Sequence, residues 1–180
     1  MRKLGSKEDI LRAATGIIAF EGIDKLTMGS LSEELGMAKG SLYHWYPSKE
    51  AILEEMFQWG HEKLMEKGFT LSLKGSALEI LTKAFSAWAE LFSSDDLLPY
   101  LRAVYALKWT DERAGEEERS IRLMVEGQME IIMERLGQTE FLSSLSSALL
   151  LSKLQSILEG EAVDAEALAL SFSRLLEGQG

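Results

Sequence analysis

Apolar residues recur every three or four positions through most of the chain, which is the spacing of amphipathic α-helices. The first such stretch follows Ser6, a residue type that caps helix N-termini, with Asp9 as the acid of a capping box, and it stops at Gly22. One face of this predicted helix is apolar and comprises Ile10, Ala14, Ile17 and Ile18. No run of alternating β-branched residues bounded by turns indicates a strand. The pattern therefore predicts an all-α chain.

Two short helices follow the first one. Thr27 is the expected N-cap of a helix that continues to Leu35, where Gly36 interrupts it. A second short helix is predicted from about Ala38 to Trp45, ahead of Pro47. Two short helices joined by a tight turn form a helix-turn-helix pattern.

The rest of the chain is predicted to form one long helix and five further amphipathic helices. The long helix begins at Ser48, and the others span about residues 75–93, 96–109, 116–136, 139–159 and 164–177. This gives about nine helices in all. We predict two domains: a three-helix helix-turn-helix unit over residues 1–47 and a helical effector-binding and dimerisation bundle over residues 48–180.

The net charge of −10 at first argues against a nucleic-acid partner. The charge is unevenly distributed, however. Residues 1–50 hold seven Lys or Arg and seven Asp or Glu, whereas the other 130 residues hold twelve and twenty-two. The two parts are therefore expected to face different environments.

Composition also excludes several classes of chemistry. Cysteine is absent, so disulfides, thiolate zinc sites and cysteine nucleophiles are ruled out. Two histidines are too few for a convincing metal cluster, and His61 is interpreted as a surface residue. The start MRKLGSKED turns charged too early for a signal peptide, and no uninterrupted apolar run, Ala148–Leu151 included, is long enough to span a membrane. We expect a cytoplasmic protein with no cofactor, no metal and no membrane partner.

The candidate chemistry lies in the stretch KGSLYHWYPSKE, residues 39–50. In a helix-turn-helix, the N-terminal residues of the second helix enter the major groove of DNA. Here these residues are Lys39, Gly40 and Ser41. Lys39 can donate to guanine acceptors or to a phosphate, and Gly40 allows a close approach of the backbone.

The residues that follow fit the same interface. Tyr43 and His44 carry donors that can reach phosphates, and Lys49 can clamp a phosphate at the start of the long helix. Leu42 and Trp45 are expected to point into the core. Each residue alone has a plain structural explanation, but the combination at this spacing favours DNA contact.

This N-terminal stretch resembles the tetracycline-repressor (TetR) family of bacterial transcription regulators over about 55 residues. The residues that carry the resemblance are Ile10, Leu11, Ala13, Ala14, Gly22, Leu26, Thr27, Met28, Leu31, Gly36 and the run 39–51. The resemblance implies a nine-helix homodimer, a palindromic double-stranded DNA operator and a small-molecule effector. It also implies DNA contacts at the positions of Thr27, Lys39, Gly40, Tyr43, His44 and Lys49.

Three positions depart from the family pattern. Ala38 stands where a hydroxyl residue often caps the reading helix, and Gly29 stands where a basic residue is common. Ser32 replaces a small apolar residue. The first two departures are expected to lower DNA affinity and to leave the fold unchanged.

The middle of the chain concentrates aromatic residues and methionines that suit an adaptable apolar pocket. The candidate pocket residues are Trp59, Phe85, Trp88, Tyr105, Trp109, Met124 and Met129. Residue by residue, the alternative that they form a plain core is favoured. As a set, they indicate an apolar effector.

The last two helices are candidates for a dimer interface. Apolar residues surround much of the helix over 139–159, which suggests burial on two sides, within the protomer and against a partner. The candidate interface residues are Leu142, Leu145, Leu149, Leu150, Leu168, Phe172 and Leu175. A core within one protomer is nearly as consistent with the pattern.

Together these features predict a DNA-binding transcription regulator, most consistent with a repressor that an apolar effector releases from a palindromic operator. The alternative is a small-molecule-binding or interaction protein whose DNA-binding head is degenerate. An enzyme is the third option, but no nucleophile–base pair, metal set or phosphate loop supports it. The acidic run Glu116, Glu117 and Glu118 is interpreted as a solvated helix start.

Overall fold

A computed structural model describes residues 5–67 and 72–177 of the chain. Within these ranges it contains nine α-helices, one 3-10 turn at Ile23–Lys25 and no strand. The helices are α1 Lys7–Glu21, α2 Met28–Glu34, α3 Lys39–Trp45, α4 Lys49–Glu66, α5 Ala77–Ser93, α6 Leu98–Leu107, α7 Glu112–Arg135, α8 Glu140–Leu158 and α9 Ala165–Glu177. The all-α prediction is confirmed, and most helix ends agree to within about two residues. Helix α7 begins four residues earlier than predicted.

Side chains that the sequence places at helix starts do form caps. Ser6 accepts from the backbone N–H of Asp9 at 3.1 Å, and the Asp9 carboxylate accepts from the backbone N–H of Ser6 at 3.1 Å. Thr27 and Ser30 exchange the same pair of bonds at the start of α2, at 3.0 Å each. Ala38, by contrast, leaves α3 without a side-chain cap. Local sequence therefore fixes where α1 and α2 begin.

The chain divides into two compact units, and the first comprises Met1–Glu66 and Asp95–Glu118. It contains α1 to α4, α6 and the first turns of α7. Helix α1 packs along α6, where Arg12 donates to Asp96 at 2.5 Å and the Arg102 guanidinium lies 5.4 Å from the centre of the Phe20 ring. The predicted boundary between residues 47 and 48 falls inside this unit, and as a functional boundary it stays a prediction.

The closest approach in the first unit is between α4 and α6. A Cβ atom on Gly60 would lie 2.1 to 2.4 Å from ring atoms of Tyr100, whose ring is fully buried. The Tyr100 hydroxyl donates to the carbonyl of Phe57 at 3.2 Å. Only glycine leaves room for this ring against the α4 backbone, so Gly60 sets the distance between the two helices.

The second unit comprises Lys67–Ser94 and Arg119–Gly180. Its helix α5 packs against α9 and α8. The rings of Phe85 and Phe172 meet edge to face with centroids 5.4 Å apart, and Trp88 stacks near Phe92 at 4.8 Å. The aromatic residues of α5 are therefore core residues of this unit.

Helix α8 is long and apolar enough, by length and composition alone, to cross a membrane. Only 44% of this stretch is buried within the protomer. Leu142, Leu150 and Leu154 are buried, whereas Phe141 is 73% exposed and Leu145 is 37% exposed. The helix buries one apolar side in its own unit and presents another on the surface.

Candidate nucleic-acid interface

The turn between α2 and α3 is held by two hydrogen bonds and one glycine. The backbone N–H of Met37 donates to the carbonyl of Ser32 at 2.9 Å, and the Ser32 hydroxyl donates to the carbonyl of Met37. Gly36 adopts the left-handed conformation with φ of 59°. Buried Ser32, one of the three departures from the family pattern, thus braces the turn that orients α3.

Helix α3 buries Leu42 completely and exposes the residues that were predicted to contact DNA. Lys39, Gly40, Ser41, Tyr43 and His44 are all exposed. The structure therefore brings five of the seven candidate contacts onto one short helix. Their contact with DNA stays a prediction.

The expectation that Trp45 packs into the core is wrong, because its side chain is 40% exposed. Helix α3 ends at this residue, and the backbone turns so that Tyr46, which is 2% exposed, enters the core instead. Burial, and then the Glu55 carboxylate, raise the pKa of Tyr46, so its phenol stays neutral. Trp45 is thus a further large exposed side chain, at the C-terminal end of α3.

Lys39 reaches from α3 across to the start of α2. Its Nζ atom lies 3.4 Å from the position that a Cβ atom on Gly29 would occupy, and Thr27 Oγ1 lies 3.5 Å from the same position. The structure therefore brings Lys39 and Thr27 together, with Gly29 between them. A Cβ atom at position 29 would be in ordinary van der Waals contact with both side chains, so the glycine leaves space for Lys39 over the start of α2.

Lys49 has a partner within the protein. Its Nζ atom donates to the backbone carbonyl of Ile23 at 2.9 Å, and the side chain is half-buried. This bond ties the start of α4 to the 3-10 turn that precedes α2. The following Glu50 has a pKa below its usual range because the N–H at the helix start and the Ser48 hydroxyl bond its carboxylate. The phosphate-binding role of Lys49 stays a prediction.

The expectation that Glu117 is solvated is wrong. It is 8% exposed, its Oε2 atom lies 2.8 Å from Nδ1 of His61, and its Oε1 atom is buried without a hydrogen-bond partner in the described residues. Burial, and then the Glu117 carboxylate, raise the pKa of Tyr100. The sequence did contain a signal for the burial of Glu117. This residue shares a helical face with Ala114 and Ile121, which are both fully buried.

The seven candidate pocket residues are divided between the two compact units. In the first unit Trp59 and Tyr105 are half-buried, and Trp109 is 86% exposed beneath the ammonium group of Lys108. In the second unit Phe85, Trp88 and Met129 are buried, and Met124 is half-buried.

Phe85 and Trp88 border a cavity of about 20 Å³, room for about one water molecule. The high exposure of Trp109 does not fit the lining of an enclosed pocket. The effector pocket as a whole stays a prediction.

The candidate interface residues fall into two groups by exposure. Within the protomer, Leu142, Leu150 and Phe172 are buried and Leu168 is half-buried. The remaining three, Leu145, Leu149 and Leu175, are 37 to 41% exposed. Leu145 and Leu149 continue the surface stripe that begins at Phe141, at four-residue spacing along α8. The homodimer itself stays a prediction.

Within residues 5–67 and 72–177, no group of three or more His, Asp or Glu side chains is arranged to hold a metal ion. The exposed face of α3 instead offers hydrogen-bond donors on a helix whose orientation the adjoining turn fixes. A short exposed helix of this kind, in a helix-turn-helix, is the element that reads the major groove. The fold and this surface define the class: the chain is a helix-turn-helix DNA-binding protein.

Comparisons with known proteins agree with this class and give the family. Residues 10–56 match the family model described as bacterial regulatory proteins, tetR family. An uncharacterized HTH-type transcriptional regulator of Mycobacterium tuberculosis strain H37Rv is 22% identical over 94% of this chain and 91% of its own length. The chain is thus similar to transcription regulators of the TetR family, and most specifically so over residues 10–56, as its N-terminal motif had indicated.

Solved structures of transcription regulators share the fold. The TetR family regulator PfmR from Thermus thermophilus superposes with a TM-score of 0.69 at 22% identity, covering 95% of each chain. The regulator FadR from Bacillus subtilis, solved in complex with stearoyl-CoA, gives a TM-score of 0.60 at 19% identity, covering 93% of this chain and 95% of its own. At such identities the likeness establishes the fold alone.

Proposed function

We propose that this regulator is a homodimeric repressor that binds a palindromic operator through α3 and is released by a small apolar effector. The observation that carries the proposal is the surface of α3, where the candidate contacts from Lys39 to His44 are exposed while Leu42 anchors the helix. The two copies of α3 would enter successive major grooves about 34–36 Å apart. An effector that favours a different spacing would release the operator.

The exposed stripe of α8 supports the dimer. Phe141, Leu145 and Leu149 present apolar side chains to solvent in the isolated protomer. Burial against a second copy removes that apolar area from water at a gain of about 25 cal/mol per Å². Such a regulator acts where the chromosome lies, so we place it in the cytoplasm. The proposed mechanism needs no covalent step and hence no catalytic activity.

The effector is proposed to be mostly apolar and to bind in the bundle formed by residues 48–180. Support comes from the aromatic and methionine content of this region, of which Phe85, Trp88 and Met129 lie in the core of the second unit. The FadR structure with stearoyl-CoA makes long-chain acyl-CoA a reasonable member of the first test panel, beside uncharged aromatic compounds.

The operator proposal is tested by selecting bound duplexes from a random pool. The expected result is one motif with two inverted half-sites about 10 base pairs apart. A matched pair of variants sharpens the test. Tyr43→Ala with His44→Ala is expected to abolish enrichment, whereas Glu33→Ala with Glu34→Ala, on exposed positions of α2, leaves the motif unchanged. No enriched motif from the wild-type protein would favour the alternative of a binding protein with a degenerate DNA-binding head.

The effector proposal needs two linked measurements. Compounds that raise the melting temperature are then tested for release of the selected operator. An effector is expected to weaken the binding of DNA by about 1–3 kcal/mol. Compounds that stabilise the protein yet leave DNA affinity unchanged would show binding without regulation, and the switch would have to lie elsewhere.

A further inference from the structure

Helix α2 ends in a Schellman motif around Gly36. The backbone N–H of Gly36 donates to the carbonyl of Glu33 at 3.1 Å, and the N–H of Met37 donates to the carbonyl of Ser32 at 2.9 Å. An apolar contact between the residues at the positions of Ser32 and Met37 often accompanies this motif. Here the contact is polar, because the buried Ser32 hydroxyl donates to the carbonyl of Met37. Ser32 is therefore bonded to Met37 through both its backbone and its side chain.

The start of α3, one residue further on, lacks a side-chain cap. Its N-cap is Ala38, whereas Ser6, Thr27 and Ser76 cap α1, α2 and α5 through their side-chain oxygens. Loss of an N-cap oxygen typically lowers the equilibrium constant for helix formation about fivefold. A helix of seven residues is also too short to be stable by itself. The first turn of α3 therefore needs another constraint.

We propose that the Ser32 hydroxyl takes the place of the missing N-cap and thereby positions the first turn of α3 for DNA. Met37 directly precedes Ala38, so a bond that fixes the Met37 carbonyl restricts the backbone where the helix begins. Lys39 and Gly40 follow in the same turn, and their contact with DNA belongs to the proposed function, on which this inference rests. Ser32 is only 7% exposed, so it acts through α3 as a positioning residue.

The backbone at position 38 already has the conformation of a capping residue. Its φ and ψ of −68° and 139° lie close to those of Ser76, −69° and 165°, which does cap α5. Ala38 is exposed, so a serine has room there. Ala38→Ser should therefore supply from α3 the constraint that Ser32 supplies from α2. The two positions then form a compensating pair, in which Ser32 offsets the loss of DNA affinity expected from Ala38.

The experiment is a double-mutant cycle on the full-length protein, with Ser32→Ala, Ala38→Ser and the two combined. Ser32→Ala should weaken binding to the selected operator up to about fivefold, because fewer molecules have an ordered start of α3. The slope of log affinity against log salt should stay the same, because no phosphate contact is removed. Adding Ala38→Ser should restore the affinity, whereas Ala38→Ser alone should change it little.

The matched control is Ser147→Ala in α8. The Ser147 hydroxyl is also buried and also donates to a backbone carbonyl, that of Ser143 at 3.0 Å. This variant should leave operator affinity unchanged, which separates an effect at α3 from a general loss of stability. Equal effects of Ala38→Ser with and without Ser32→Ala would mean that the two positions act independently, and the compensation would be overturned. Unchanged operator affinity in Ser32→Ala would overturn the positioning role.

A second measurement uses no DNA and tests Ser32 separately from the proposed function. The backbone N–H of Leu42 donates to the carbonyl of Ala38 at 3.3 Å, so its hydrogen exchange reports on the first turn of α3. Exchange at Leu42 should be faster in Ser32→Ala and return to the wild-type rate with Ala38→Ser. An unchanged rate contradicts the inference even if the protein binds an operator. If the wild-type protein selects no operator, the proposed function fails, and the exchange rates decide whether Ser32 fixes the start of α3.

Discussion

Lys49 illustrates how one side chain can have a structural and a recognition role. Its ammonium group donates to the Ile23 carbonyl, and its position at the start of α4 is also where a phosphate would be expected. The ammonium group has three donors, so one bond to the protein leaves others for DNA. The two roles make different predictions about salt.

We predict that Lys49→Ala weakens binding to all duplexes about equally, because a phosphate contact carries no sequence information. The slope of log affinity against log salt should become shallower by about one unit. Binding isotherms at several salt concentrations measure this slope, with Lys83→Ala on an exposed position of α5 as the control. If the variant has a lower melting temperature but an unchanged salt slope, Lys49 stabilises the fold through its bond to Ile23 and does not contact a phosphate.

Asp111 gives a pH-dependent prediction. Hydrogen bonds from Arg113, the nearest of them at 2.7 Å, hold the pKa of this carboxyl below its usual range. A carboxyl whose folded pKa is depressed contributes stability above its unfolded pKa of about 3.9, and that contribution is lost as the pH falls through the folded pKa. Asp111→Asn should therefore lose less stability than the wild-type protein on acidification below about pH 4. Urea unfolding at a series of pH values measures this, and Asp24→Asn, on an exposed position, should follow the wild type.

At the scale of elements, the contact between α4 and α6 depends on position 60 of α4 having no side chain. The ring of Tyr100 occupies the space that a side chain at position 60 would need, and the ring is fixed by burial and by its bond to Phe57. The glycine is costly for helix α4 by itself. It is tolerated because the packing of Tyr100 offsets that cost.

We predict that Gly60→Ala destabilises the protein by about 3 kcal/mol, at the upper end of overpacking effects. Gly16→Ala, inside α1 with open space around it, is the matched control and should stabilise by up to about 1 kcal/mol. Urea unfolding gives both values. Equal effects in the two variants would mean that Tyr100 moves aside at little cost.

Helix positions and the exposed face of α3 could be predicted because local features determine them. Ser6 and Thr27 cap their helices within four residues of chain, and the exposed face of α3 follows from its spacing and from Leu42. Glu117 was misjudged because its burial depends on a distant helix, α4, whose His61 lies against it. The bond from Lys49 to Ile23 joins residues 26 positions apart, and no local pattern indicates it.

At the scale of the whole molecule, two adjacent leucines of α8 differ in exposure, so that substitutions at them can test the proposed dimer separately from folding. Leu149 is 37% exposed in the protomer, whereas Leu150 is 8% exposed. Side chains next to each other on a helix point about 100° apart, so the two face different surroundings. One residue can therefore report on the proposed dimer and the other on the protomer core.

We predict that Leu149→Lys gives folded monomers that no longer bind a palindromic site, since the charge would be buried in the interface. Leu150→Lys should instead lower the melting temperature sharply, because the charge enters the protomer core. Sedimentation velocity and thermal unfolding distinguish the two results. Leu123→Lys, on a 57% exposed position of α7, serves as the control and should stay dimeric. A dimeric Leu149→Lys variant would place the interface elsewhere.

The packing of α1 along α6 bears on how the protein is made. Its N-terminal unit contains Met1–Glu66 but is completed only by Asp95–Glu118. At a synthesis rate of about 5–20 residues per second, roughly 3–10 s pass between residues 66 and 118. During that interval the nascent chain carries its reading helix on an unfinished core. A premature stop codon in that interval is therefore expected to release a fragment in which α1 lacks the helix that it packs against in the complete protein.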